Sequence, residues 1–163
     1  GGIALSTAVF PQGTDIYQMD ALARAPLWEG LRSYAHGTGH GVGMFNEIHE
    51  PPTFMRPGAN VNLEPGIVLT VEPGTYRVGE YGIRIENMLL CKEIGKSEFG
   101  AFFGFETITR CPINTALIDP ALMSREEIDW LNELNQQSCD DLIDELEAEE
   151  RDWLIEQCRP VQG

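Results

Sequence analysis

The stretch Tyr34-Ala-His36-Gly-Thr-Gly-His40-Gly-Val-Gly-Met-Phe-Asn-Glu-Ile-His49-Glu-Pro51 constrains this chain more than any other. The protein has three histidines, and all of them fall within fourteen consecutive positions. Glycine occupies alternate positions at Gly37, Gly39, Gly41 and Gly43. Glycine lets backbone pass close to backbone and adopt φ values closed to other residues. A segment that gathers every imidazole and strips the side chains between them is suited to surround something small. It reads as loop and short strand, ended by Pro51-Pro52.

The segments on either side read as a mixture of helices and strands. Residues 3–9 suit the end of a helix, broken at Pro11-Gln-Gly13. Thr14 can cap a new helix, along which Ile16, Met19, Leu22 and Ala23 follow at helical spacing. Pro26 fits the first turn of a further short helix, with Trp28 and Leu31 on its buried side. Beyond the histidines, Ile67–Glu72 is rich in β-branched residues and stops at Pro73-Gly74. Gly82–Cys91 reads as a second strand, paired antiparallel with the first across a loop from Thr75 to Tyr81. Phe102–Arg110 is a third. Ser124-Arg-Glu-Glu127 has the form of a capping box, followed by the apolar stripe Ile128, Leu131 and Leu134. Asp140–Glu156 reads as one acidic amphipathic helix with a solvated charged face, stopped by Arg159-Pro160.

With 163 residues, the chain has room for a sizeable core and reads as one domain. Its formal net charge of −15 argues against nucleic acid and anionic membrane as partners. No apolar run is long enough for a membrane span. The opening residues have neither a basic region nor the length of a signal peptide. They also lack an initiator Met, which suggests a start inside a longer protein. Cys91, Cys111, Cys139 and Cys158 form no CxxC pair. Free thiols in a reducing cytoplasm are the expectation.

Two carboxylates stand out in the strands. Period two places Glu72 with Thr70 and Val68, and places Arg84 and Glu86 together opposite Ile83 and Ile85. A carboxylate on an apolar strand needs a cation or hydrogen bonds to compensate it. Arg84 could do this by pairing with either glutamate. Together with His40, a divalent metal site becomes the better account, since one imidazole and two carboxylates suit Mn, Zn or Co.

Gly37-Thr-Gly-His40-Gly-Val-Gly43, His49-Glu-Pro51, Thr70-Val-Glu-Pro-Gly74 and Gly82-Ile-Arg-Ile-Glu-Asn87 together resemble the pita-bread metallopeptidase family. The later blocks Phe105-Glu-Thr-Ile-Thr109, Cys111-Pro-Ile113, Leu117-Ile-Asp119 and Asp129-Trp-Leu-Asn132 narrow the resemblance. They point to the Xaa-Pro aminopeptidase (aminopeptidase P) branch of the cytosolic type. The resemblance covers essentially the whole chain. It implies an α+β class and a partial pita-bread fold, a curved antiparallel sheet with flanking helices. Residues 1–163 would be the C-terminal portion of the catalytic domain, with a helical extension over about 124–159.

The resemblance also implies a chemistry. Two divalent ions, manganese first with zinc or cobalt as alternatives, would be held in part by His40, Glu72 and a bridging Glu86. A hydroxide bridging them would release the N-terminal residue from peptides with proline in second position. Glu72 would handle a proton as well as a metal, and His49 would stabilise the tetrahedral intermediate. His36 and His49 would line the substrate side, while Arg84 would orient the carboxylates with Tyr76 nearby. The family's two aspartate ligands lie upstream of its histidine block and have no counterpart here. Asp141 and Asp152 share their spacing but lie downstream, in the acidic tail. The piece alone is therefore expected to hold metal weakly or not at all and to be inactive. Its bared sheet edges predict a homodimer or other self-association. The alternative is a pita-bread module kept for binding after catalysis was lost. A pure binding module has no need of the His40/Glu72/Glu86 set.

Overall fold

A computed structural model describes residues 1–163. It divides into two compact units, Gly1–Ile108 and Thr109–Gly163. The first unit is α+β. Helices α1 (Gly2–Ser6) and α2 (Ile16–Glu29) accompany strands β1 (Phe10–Pro11), β2 (Gly39–Gly41), β3 (Glu50–Met55), β4 (Val68–Val71), β5 (Gly74–Arg77), β6 (Tyr81–Arg84), β7 (Asn87–Ser97) and β8 (Gly100–Thr107). Six of these strands form one sheet in the order β1-β8-β7-β4-β2-β3, and every neighbouring pair is antiparallel. The strands β5 and β6 form a separate two-stranded ribbon. One face of α2 and the inward residues of the sheet share a core that includes Leu5, Ile16, Met19, Ala23, Leu69, Val71, Leu89 and Cys91. No helix is long and apolar enough to cross a membrane.

Local chemistry explains where this fold departs from the sequence reading. Asp15, not Thr14, caps α2. Its carboxylate accepts from the Tyr17 N–H, and the Gln18 side chain accepts from the Asp15 N–H. The Thr14 hydroxyl donates instead to the Pro11 carbonyl. Pro26 does not start a second helix but lies inside α2. It has no N–H for the Leu22 carbonyl, and both residues are exposed, so the lost bond opens to water. Because the helix keeps its phase from Ile16, Trp28 falls off the buried face and Leu31 beyond the helix end; they are exposed, as is Leu22.

The Pro51-Pro52 pair does not end the histidine stretch, because β3 runs straight through it. Proline is tolerated there since β3 is an outermost strand and Pro51 and Pro52 fall in the register shift between Glu50 and Phe54, opposite no residue of β2. The predicted strand Gly82–Cys91 is two strands. Residues up to Arg84 pair with β5, and those from Asn87 pair with β4. The expected antiparallel pairing of the Ile67–Glu72 run is correct, with the ribbon inserted in the connection. The third strand is observed as β8.

The second unit contains a 3₁₀ turn at Pro120–Leu122, α3 (Arg125–Leu142), a further 3₁₀ turn at Ile143–Glu145 and α4 (Ala148–Gln157). The Ser124/Glu127 capping box forms as expected, and Ile128, Leu131 and Leu134 are buried. The acidic run Asp140–Glu156 is not one helix. A 3₁₀ turn interrupts it at Ile143–Glu145, and Leu142, Ile143 and Leu146 pack against Cys139, Leu154 and Cys158. Glu147 and Glu150 then cap α4. Trp153 stays exposed.

Two measurements probe this packing. A Cβ at position 39 would lie 1.8 Å from the Thr70 carbonyl oxygen. A backbone oxygen in a sheet cannot swing aside, so Gly39→Ala should cost about 3 kcal/mol or more in chemical denaturation, at or beyond the usual range for overpacking. Burial, with a smaller contribution from the Glu64 charge, pushes the Cys91 thiol up to about 11. The unfolded chain ionises first, so this contribution is complete below about pH 9 and is lost as the pH climbs through the folded value. Denaturation midpoints should fall over that alkaline window, and less steeply in Cys91→Ala.

Candidate metal centre

Three backbone facts bring the predicted residues together. Gly39 lets β2 lie against β4, and the Gly41–Leu69 pairing places His40 beside the end of that strand. The His40 N–H donates to Thr70 Oγ1 at 3.1 Å, and the Glu72 N–H donates to the Thr38 carbonyl at 2.7 Å. The third fact is a change of sheet. Val71 and Asn87 are the last partners of β4 and β7, while Gly74 and Arg84 are the matching partners at that end of β5 and β6. Both strands cross from the large sheet to the ribbon at the same place. Glu72 sits in one crossing and Glu86 in the other.

The ligand atoms of His40, Glu72 and Glu86 all lie within 4.8 Å of one another. His40 is buried, the Glu72 side chain is 13% exposed and Glu86 is exposed. His40 Nδ1 lies 3.0 Å from the Gly41 carbonyl. A carbonyl only accepts, so Nδ1 carries the proton and Nε2 keeps a bare lone pair. That nitrogen faces Glu72 Oε1 at 3.8 Å, too far for a hydrogen bond. A lone pair opposed to a carboxylate oxygen with no proton between them fits a cation, and metal bonds of about 2 Å from each side span such a gap. Oxygen and imidazole donors suit a divalent ion. No aspartate joins the group. Asp141 is engaged by Arg110 within the second unit.

The other predicted residues form a chain beside this centre. His36 Nδ1 lies 2.7 Å from the Gly37 carbonyl, so it too carries the proton. His36 Nε2 then accepts from the Tyr76 hydroxyl at 2.9 Å, and that oxygen accepts from Arg84 Nε at 2.9 Å. Arg84 reaches Glu72 Oε2 with its Nη1 at 3.2 Å. Its guanidinium is held above its ordinary range, first by the hydrogen bond to Tyr76 and further by the Glu72 and Glu86 charges. Of the two pairings open to Arg84, the structure takes the one with Glu72. His49 is exposed, with its ring edge-on to His40 at 4.1 Å between centroids. Thus one imidazole faces the carboxylates and two flank it.

Sequence reasoning missed the support for this arrangement. Asp20 and Arg24 on α2, with Tyr34 and Thr38, form a buried polar group behind the histidine stretch. The signal was available in the acid–base spacing of four residues, which places Asp20 and Arg24 on one helix face.

Residues 3–93 match the model of metallopeptidase family M24, and residues 101–161 match its C-terminal region. The chain is 44% identical to a probable Xaa-Pro aminopeptidase P of Sordaria macrospora, covering 98% of this chain and 27% of that protein. It is 43% identical to aminopeptidase P1 of Arabidopsis thaliana, over 99% of this chain and 26% of the relative. The fold superposes on the X-prolyl aminopeptidase of Caenorhabditis elegans, described as a cytosolic enzyme with a di-nuclear active site. That match has a TM-score of 0.90 and 36% identity, covering 98% of this chain and 27% of the other. An Xaa-Pro dipeptidase of Bacillus anthracis shares 34% identity with a TM-score of 0.54, over 68% of this chain and 28% of that one. The chain spans about a quarter of the length of the curated relatives it matches.

Burial raises the Tyr34 hydroxyl above the ordinary tyrosine range. The Asp20 and Glu72 charges add to this, against the Thr38 hydrogen bond and Arg24. Ultraviolet titration should therefore show a tyrosinate step above that range, absent in Tyr34→Phe. With a raised folded value, the associated stability holds at neutral pH and is lost as the pH rises through that step.

Proposed function

The chain belongs to metallopeptidase family M24, and on that premise we propose that it is the C-terminal part of the catalytic domain of an Xaa-Pro aminopeptidase. Such an enzyme releases the N-terminal residue of peptides whose second residue is proline. The convergence of His40, Glu72 and Glu86 within 4.8 Å carries this reading. These three residues would hold two divalent ions, manganese first, together with two aspartates supplied from outside the chain. When bound, such ions act as Lewis acids toward the scissile carbonyl and lower the pKa of water to near neutrality.

The chain's own residues do the rest. His40 presents its Nε2 lone pair because Gly41 holds the proton on Nδ1. Glu72 is a ligand and also takes up and hands on a proton, with Arg84 fixing its second oxygen. Glu86 bridges. His49, beside His40 and open to the substrate, donates a hydrogen bond to the carbonyl oxygen as negative charge develops there. His36 and Tyr76 line the substrate side. The likeness to the cytosolic C. elegans enzyme supports a cytoplasmic location. A centre with three of its five ligands holds metal weakly, so the isolated 163-residue chain is inactive and self-associates.

The test compares the complete protein with the isolated chain on an Xaa-Pro peptide in the presence of manganese. The complete protein should cleave before proline, and Glu86→Gln should remove both activity and tight metal binding. The isolated chain should show no turnover and a light-scattering mass above that of a monomer. Robust turnover by the isolated chain, or a complete protein indifferent to Glu86, would overturn the proposal.

A further inference from the structure

A buried ion pair behind the histidine stretch has no role in the chemistry above. Asp20 and Arg24 stand one turn apart on α2, with side chains 6% and 11% exposed. Such a pair adds little stability by itself, because desolvation offsets the attraction. Its other bonds show what it holds. Arg24 Nε donates to Asp20 Oδ2 at 2.7 Å, Nη1 to the Tyr34 carbonyl at 2.9 Å and Nη2 to the His36 carbonyl at 2.8 Å. The guanidinium also lies over the Tyr34 ring, 4.0 Å from its centroid. The other oxygen of Asp20 accepts from the Thr38 hydroxyl. That uses the only proton on Thr38 Oγ1, so the Tyr34 hydroxyl is the donor in their 2.5 Å contact.

The pair therefore grips residues 34, 36 and 38 in succession. It fixes the His36 backbone from one side, while the His36 ring reaches Tyr76 on the other. Two carbonyls two residues apart need a rigid fork of donors. Arginine has that fork, whereas lysine offers the same charge as a single point.

We propose that Asp20 and Arg24 are positioning residues that set the His36 imidazole against Tyr76 and so shape the substrate side of the centre. This rests on the aminopeptidase reading. A purely structural ion pair would accept lysine at position 24, because charge pairing with Asp20 survives. A positioning fork would not.

Arg24→Lys separates the two roles. With only three histidines, a ¹⁵N imidazole spectrum of the chain, recorded with the rings neutral, resolves each tautomer. In the parent chain His36 should be held with the proton on Nδ1. In folded Arg24→Lys that population should drop, while His40, held by Gly41, stays as it was. In the complete protein the same substitution should raise KM for an Xaa-Pro peptide about tenfold with kcat held within about threefold, which a reduced fraction of folded enzyme cannot produce. An unchanged His36 spectrum, or an unchanged KM in an active enzyme, overturns the proposal. If Arg24→Lys does not fold, Asp20→Asn carries the test. It keeps the shape of the side chain but withdraws the charge that holds Arg24 in place, and an unaltered His36 tautomer there is equally fatal. A complete protein without Xaa-Pro hydrolysis in its parent form refutes the aminopeptidase reading instead, and the spectrum still decides whether Arg24 sets His36.

Discussion

The site depends on how closely β2 lies against β4. At Gly39 the two backbones meet with no room for a side chain on β2, and Thr70 closes over the gap with its hydroxyl on the next N–H. That approach carries His40 to the end of β4, where Glu72 begins the crossing into the ribbon. The Glu72 N–H returns to the Thr38 carbonyl, two residues before His40, so the backbone of the carboxylate is tied to that of the histidine stretch. Side chains supply the chemistry, but backbone contacts set the distance between them.

The crossing itself explains why two acids can be placed here. Within a sheet, neighbouring positions are spoken for by cross-strand partners. Where both strands change sheets together, that pairing lapses between Val71 and Gly74 on one side and between Arg84 and Asn87 on the other. Glu72 and Glu86 occupy the lapse, free of strand neighbours and turned toward one imidazole. Arg84, the last ribbon residue before the crossing, is in reach of Glu72 for the same reason.

Much of this was legible in the residues. The histidine and glycine pattern marked the site, and the Val-Glu-Pro-Gly and Arg-Ile-Glu blocks marked its carboxylates. The Ser124 capping box was visible because capping is local chemistry. Other features were not. Gly82–Cys91 has unbroken strand propensity, and only the partners of its two halves reveal the change of sheet. Pro26 within α2 and Pro51-Pro52 within β3 contradict local preference; the first forfeits a bond on the exposed side of its helix, and the pair falls in a register shift where β2 offers no partner. The Asp20–Arg24 pair was readable as a helix contact, yet its purpose depends on carbonyls from a segment ten residues further on.

The prolines on the outermost strands carry one more consequence. Pro11 lies in β1 and Pro51 and Pro52 in β3, the two flanks of the six-stranded sheet. A proline on each flank removes a donor from that edge, so neither flank offers an unbroken ladder for templated growth. The chain is thereby guarded against fibrillar propagation at its margins.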